Sequence, residues 1–169
     1  RTVKAAAEKG VVVGAHVSYP DRVGFGRRDL DATSEELIAD VIYQIGALKG
    51  VAAAAGTTVR YVKPHGALYN RIANDAKQGQ AVIDGIKAID PSLVLMGLAN
   101  APILDLARKA GLAVVADDLQ LIGRDELGQT VHGADLALLG HAGQALGQLT
   151  NDLFLVAAQL VQADLRRAV

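Results

Sequence analysis

Two stretches of this chain concentrate side chains able to move protons or hold anions. The first reads His16-Val17-Ser18-Tyr19-Pro20-Asp21-Arg22-Val23-Gly24-Phe25-Gly26-Arg27-Arg28, and the second Tyr61-Val62-Lys63-Pro64-His65-Gly66-Ala67-Leu68-Tyr69-Asn70. Imidazoles titrate near neutrality, so His16 and His65 are candidates for passing a proton or ligating a metal. For His16 the structural alternative is a histidine that hydrogen-bonds the backbone and holds its loop. Lys63 offers a point charge suited to a carboxylate or phosphate, or an amine whose pKa burial could lower. A salt bridge to Asp21 is its structural alternative. Asp21 itself is either a catalytic carboxylate or half of an ion pair within the loop. Arg22, Arg27 and Arg28, interleaved with Gly24 and Gly26, could bind an anion through guanidinium forks and exposed backbone N–H groups. For Arg28 a solvated surface position is the preferred reading. Tyr69 and Asn70 add neutral hydrogen-bonding groups near His65.

These residues need a scaffold, and the pattern around them supplies one. Val11 to Ala15 is a short apolar, β-branched run suited to a strand buried on both faces, and His16 follows it directly. Thr33 with Glu36 forms a capping box ahead of Leu37, Val41, Ile45, Leu48 and Ala52, which recur at helical spacing until Gly56. Tyr43 and Gln44 lie inside that helix and read as packing. A second cycle has Thr58 to Val62 as strand, Lys63 to Asn74 as loop and a helix from about Asp75 to Ile89, stopped by Asp90-Pro91. A third has Leu93 to Met96 as strand and a helix starting near Pro102 and closed by Gly111. Leu112 to Ala116 is a fourth strand. Repeated β-loop-α units imply an α/β fold with a parallel sheet and right-handed crossovers. In such folds the ligand site lies at the strand C-terminal ends, where both reactive loops fall.

The chain has 169 residues, 51% of them hydrophobic, and a formal charge of −1. That is enough apolar material for one domain, and 1–169 reads as one, with 117–169 as a poorly patterned tail. In the tail a helix from Thr150-Asn151-Asp152 through Leu165 is expected, with His132 and His141 as surface or structural residues. The charge balance argues against nucleic-acid binding by bulk electrostatics and against a polybasic membrane anchor. The absence of cysteine removes disulfides and thiolate chemistry. No uncharged run reaches the roughly 18 residues of a bilayer span, and the expected setting is cytoplasmic. Gly24-x-Gly26 lies mid-loop and is not a dinucleotide fingerprint, and neither a Walker motif nor a nucleophile elbow is present. The chain begins Arg1-Thr2-Val3-Lys4, as though inside a helix, and reads as a piece of a longer protein. Four βα units do not close an eight-stranded barrel, which needs about 250 residues.

The two loops, with Tyr43-Gln44-Ile45-Gly46-Ala47-Leu48 between them, resemble the LamB/YcsF family, the A subunits of the bacterial-type ATP-dependent 5-oxoprolinase. The family pattern GAHPSYPDRxGFGRR, YQIGAL, VKPHGALYN stands here as Gly14 to Arg28 (with Val17 in place of Pro), Tyr43 to Leu48 and Val62 to Asn70. Asp90-Pro91, Gly97-Leu98-Ala99 and Ala110-Gly111-Leu112 continue the likeness to about Val115. The family's NADLGE and ACGFHAGD segments would precede Arg1, and its E-x-FADRxY segment is not matched after Val115. The resemblance implies a deacetylase-like (β/α) barrel, incomplete in this chain. It further implies opening of the 5-oxoproline lactam to L-glutamate, with partner B and C subunits using ATP to activate the lactam. Chemistry then assigns His16 and His65 to a proton shuttle, Lys63 and Arg22 to an anion site, and Asp21 to directing water. Arg27, Tyr69 and Asn70 join Arg22 as substrate-binding candidates. Two alternatives stand beside this reading. One is a metal-dependent deacetylase-like hydrolase with His16, His65 and Asp21 on a divalent ion; the other is an inactive half-barrel that binds a partner through its exposed sheet edges.

Overall fold

The computed structural model describes residues 1–117 and, beyond them, the strand residues 123–124 and 130–131. The chain divides into two compact units, one essentially Val3–Asp117 and the other Asp118–Val169.

In the first unit, strands β1 (Val13–Ala15), β2 (Val59–Val62), β3 (Val94–Leu98) and β4 (Val114–Asp117) form one parallel sheet in the order β1-β2-β3-β4. Helix α1 (Thr2–Glu8) precedes the sheet. Helix α2 (Ser34–Ala54) links β1 to β2, α3 (Gly66–Asn74) and α4 (Ala76–Ile89) link β2 to β3, and α5 (Pro102–Lys109) links β3 to β4. The strand order never reverses. Right-handed crossovers then put every connecting helix on one face, as in the wall of a barrel rather than in a doubly wound sheet. The parallel α/β architecture is therefore as expected, and it is consistent with a partial (β/α) barrel.

Local chemistry starts the helices where the sequence says it should. Thr33 accepts from the Glu36 N–H while the Glu36 carboxylate accepts from the Thr33 N–H, completing the capping box. The Asp75 carboxylate accepts from the N–H groups of Lys77 and Gln78 at the start of α4. Pro102 occupies the first turn of α5. Leu37, Val41 and Ile45 are fully buried at four-residue spacing, and α2 packs on β1, β2 and α4.

Several boundaries differ from the pattern reading. β3 and β4 begin later than expected and run on to Leu98 and Asp117, because the pairing register carries Leu98 opposite Asp117. The stretch 63–74, read as loop, contains α3. Its start has no side-chain cap, which hides it from a sequence reading, and its burial stripe of Leu68, Tyr69, Ile72 and Ala73 is what stabilises it. Helix α2 is 21 residues long and contains an 18-residue window with a mean hydropathy of 1.4, long and apolar enough to cross a membrane by length and composition. The run is not legible as such because Glu35, Glu36, Asp40 and Lys49 punctuate it. Its buried stripe is committed to the sheet and α4.

In the second unit, β5 (Gly123–Arg124) and β6 (Thr130–Val131) pair antiparallel, Gly123 opposite Val131 and Arg124 opposite Thr130. The weak patterning of that stretch gives no sign of either strand. The helix expected from Thr150 to Leu165, with His132 and His141, lies outside the described residues.

Candidate functional site

The pleat of β1 and β2 continues beyond their ends and sorts side chains between two faces. The N–H of Lys63 donates to the Ala15 carbonyl at 2.9 Å and that of His65 to the Val17 carbonyl at 2.7 Å. Ala15, Val17, Tyr19 and Val62 are buried in the apolar core, and Pro64 is buried as well. The alternate residues, His16 and Ser18 on one stretch and Tyr61, Lys63 and His65 on the other, therefore share the opposite face. That is the face away from the helices. Gly14 is required there, since the Tyr61 ring lies over it and a Cβ would sit 2.0 Å from the ring.

This alternation brings the two histidines into contact. His16 Nε2 and His65 Nδ1 are 2.9 Å apart, with ring centroids at 4.8 Å. His65 Nε2 lies 2.9 Å from the Phe25 carbonyl. A carbonyl only accepts, so the hydrogen on His65 sits on Nε2, and His65 Nδ1 accepts from His16 Nε2–H. The lone pair of the neutral dyad then falls on His16 Nδ1, which is buried without a hydrogen-bond partner. Burial, followed by the neighbouring His65 and Lys63 charges, pulls the His16 pKa down to about 4. The Lys63 backbone opposes this without completing a hydrogen bond. Burial likewise lowers the pKa of His65, the Phe25 carbonyl opposing and the Arg27 charge adding to the shift. Both rings are thus neutral at pH 7.

The first loop closes over His65 through unusual backbone geometry. Phe25 has φ +57° and Gly26 φ +67°. A left-handed aromatic residue costs conformational energy, and here it aims a carbonyl at His65. The Phe25 ring meets His65 edge-on at 5.4 Å. Gly26 accepts from the Ala67 N–H, and a Cβ on Gly66 would lie 2.5 Å from the Gly26 oxygen. Only glycine permits that approach.

Lys63 does not pair with Asp21. Its Nζ is 2.5 Å from the Asp117 carboxylate, with side-chain exposures of 12% and 4%. The buried Tyr69 hydroxyl donates to the same carboxylate at 3.1 Å, and Lys63 Nζ stands 5.8 Å from the Tyr69 ring centroid. Sequence reasoning misses Asp117 because it sits at the strand end where patterning fades. Its residue type and its place at the end of a strand are the signals that could have found it.

Of the two roles read for Asp21, the structure shows the ion pair within the loop. Its buried carboxylate accepts from the Gly24 N–H at 2.8 Å and is paired with the Arg28 guanidinium. The Arg28 hydrogen bond is the main reason its pKa falls to about 2. It fastens the loop, and among the described residues no hydrogen bond joins it to either imidazole. Arg28 is accordingly the loop's ion-pair partner rather than a merely solvated residue. The expected anion cradle is not formed either, because the Gly24 N–H goes to Asp21 Oδ1 and the Gly26 N–H to the Asp21 carbonyl. Arg22 is exposed and makes no ion pair among the described residues. Arg27 lies 5.7 Å from the Phe25 ring centroid and shares a surface recess with Asp29, Asn70 and Arg71. The structure thus brings together His16, His65, Lys63 and Tyr69, and leaves Asp21 buried in the loop's ion pair, Arg22 and Arg27 exposed on the loop, and Asn70 exposed on α3.

Gln44 also departs from the packing role read for it. Its side-chain amide brackets Ser18, accepting from the Ser18 N–H and donating to the Ser18 carbonyl, each at 2.9 Å. Its neighbour Tyr43 is 70% exposed.

Among the described residues no three of His, Asp and Glu converge on one point, and both ring nitrogens of His65 are engaged. The amides of Gly24 and Gly26 are spent within the loop.

The family model for the LamB/YcsF family matches residues 1–120. This chain belongs to the LamB/YcsF family. A relative from Agrobacterium fabrum, named as 5-oxoprolinase A subunit 1, is 86% identical over 143 residues, covering 79% of this chain and 56% of that protein. That is a larger share than residues 1–115, where the family motifs are legible. The 5-oxoprolinase A subunit 3 of Pseudomonas syringae is 57% identical over 145 residues, covering 80% of this chain and 57% of its own length. The chain thus spans little more than half the length of these relatives. Among solved structures, a lactam utilization protein from Thermus thermophilus is similar with a TM-score of 0.66 and 47% identity, over 68% of this chain and 46% of that one.

Proposed function

We propose that this LamB/YcsF chain supplies the proton-handling half of a hydrolase that opens the lactam of 5-oxoproline to L-glutamate, within an assembly of 5-oxoprolinase A, B and C subunits. The observation that carries the reading is the His16–His65 hydrogen bond at the strand ends, in a chain whose relatives bear the 5-oxoprolinase name. Opening the ring adds a water oxygen to the carbonyl carbon and breaks the carbon–nitrogen bond, so one proton must leave water and one must reach the ring nitrogen. His16 Nδ1 is the dyad's proton acceptor, and His65 holds His16 in the tautomer that leaves that nitrogen free. The resulting imidazolium can return its proton to the departing nitrogen.

A pKa of about 4 makes His16 a weak base on its own. The carboxylate of 5-oxoproline, brought near, raises that pKa toward neutrality, where a general base works best. Lys63, held by Asp117 beside the Tyr69 ring, is a cation close enough to act on His16, and it can receive such a carboxylate or a developing oxyanion. Hydrolysis of ATP belongs to the partner subunits on this reading, and no step on this chain runs through it.

The test is glutamate release from 5-oxoproline by this chain with B- and C-type subunits and ATP. The expected result is ATP-dependent release that His65→Ala lowers at least about a hundredfold, the usual scale of general acid–base catalysis. An assembled complex that releases no glutamate would overturn the reading.

A further inference from the structure

We propose that Gln44 is a positioning residue for the His16–His65 dyad, acting as a one-residue substitute for a neighbouring strand. The inference rests on the reading of the dyad as the reaction's proton relay.

Along an extended chain, successive residues direct their N–H and C=O groups to opposite edges. Ala15 and Val17 spend their carbonyls on Lys63 and His65 of the β2 stretch. Ser18 therefore turns its N–H and C=O the other way, toward the edge that β2 does not occupy. Gln44, reaching from the middle of α2, meets both groups with its own amide at 2.9 Å. A primary amide carries one acceptor and one donor in the same plane, matching the pair a strand would present. No other uncharged side chain except Asn has that geometry, and Asn is one methylene shorter.

The consequence reaches the dyad in two ways. The segment from Ala15 to Ser18 is held from β2 on one edge and from Gln44 on the other, so the backbone carrying His16 is fixed on both sides. Ser18 also stands against the loop that closes on His65. A Cβ on Gly26 would lie 3.0 Å from Ser18 Cβ and 3.2 Å from His65 Cδ2, leaving little slack among the three. Releasing Ser18 frees the His16 ring from its bond to His65 and loosens the packing that dries it. The Gln44 amide touches neither imidazole in these contacts, so it acts through the backbone alone.

The experiment uses the full chain carrying Gln44→Met, which keeps length and removes both polar contacts, and Gln44→Glu, which keeps an acceptor for the Ser18 N–H and loses the donor. Imidazole nitrogen NMR, assigned with His16→Gln and His65→Gln, reads the tautomers and titration midpoints of the two rings. Turnover with partner subunits is measured in parallel. Loss of the bracket is expected to move the His16 midpoint upward toward the ordinary value and to erase the fixed tautomer pattern. It should lower kcat roughly ten- to a hundredfold with KM little changed, the scale of a misplaced catalytic group. Gln44→Glu should fall between wild type and Gln44→Met. Should Gln44→Met fail to fold, Gln44→Glu decides by the same readouts. Folded variants whose histidine tautomers and midpoints match wild type would overturn the inference. If the wild-type assembly releases no glutamate, the functional reading fails on its own, and the histidine spectra still decide the role of Gln44.

Discussion

At the scale of single residues, the site is organised by which polar groups are already spoken for. His16 keeps one unpartnered nitrogen because His65 and Phe25 consume the rest of the relay. This has a measurable consequence for stability. A histidine whose folded pKa is about 4 against an ordinary 6.5 binds fewer protons when folded, so stability rises with pH between those values and is fully present above about 6.5. The associated loss on acidification is at most about 3 kcal/mol. Urea titrations at pH 7 and pH 5 should show wild type weakening at the lower pH, and His16→Gln should flatten that difference. The Lys63–Asp117 pair makes a second case. Both side chains are largely out of water, so Asp117→Asn takes the carboxylate charge away from a buried ammonium and should cost up to about 3–5 kcal/mol. Lys63→Met combined with Asp117→Leu should recover much of that stability while turnover stays low. Equal denaturation midpoints for wild type and Asp117→Asn would contradict the account.

Among the elements, the loops matter more than the helices for function, and their geometry depends on glycine. Gly66 begins α3 at φ +57°, with the Gly26 carbonyl where a Cβ would go. Gly66→Ala should push the first loop off His65, break the Phe25 hydrogen bond and lower turnover by more than tenfold. A crystal structure of the variant with the loop unmoved would refute this. The capping box of α2 is different in kind, because it is exposed and remote from the dyad. Thr33→Ala should lower stability by about 1 kcal/mol and leave KM and kcat unchanged, as read from thermal melts and steady-state kinetics.

The first unit as a whole is a wall of four parallel strands with helices on one face and the reactive side chains on the other. Its protection against exchange should follow strand order. Amides of β2 and β3, paired on both edges, should exchange slowest by mass spectrometry, and those of β1 and β4 sooner. Slower exchange in β1 than in β2 would argue against the four-strand order. The split near Asp117 places the last described contact of the site, the Lys63–Asp117 pair, at the very end of that unit.

Hydrophobic periodicity and capping signals determined the parallel α/β architecture, the helices α2 and α4, and the delivery of His16 and His65 to neighbouring strand ends. These are local properties: apolar spacing, a cap three residues ahead of its partner, a proline or glycine that stops a helix. Helix α3 was illegible because it has no cap and gains its stability from burying Leu68 and Ile72 in the core. The partners of charged groups were illegible for a related reason. Asp21 could have served Lys63 or a water as well as Arg28, and nothing along the chain ranks those choices. Only the fold decided them, by setting which groups lose their water together and must satisfy one another. Gln44 shows the same divide: its residue type was plain, but a helix and a strand end had to meet before its amide had a backbone to hold.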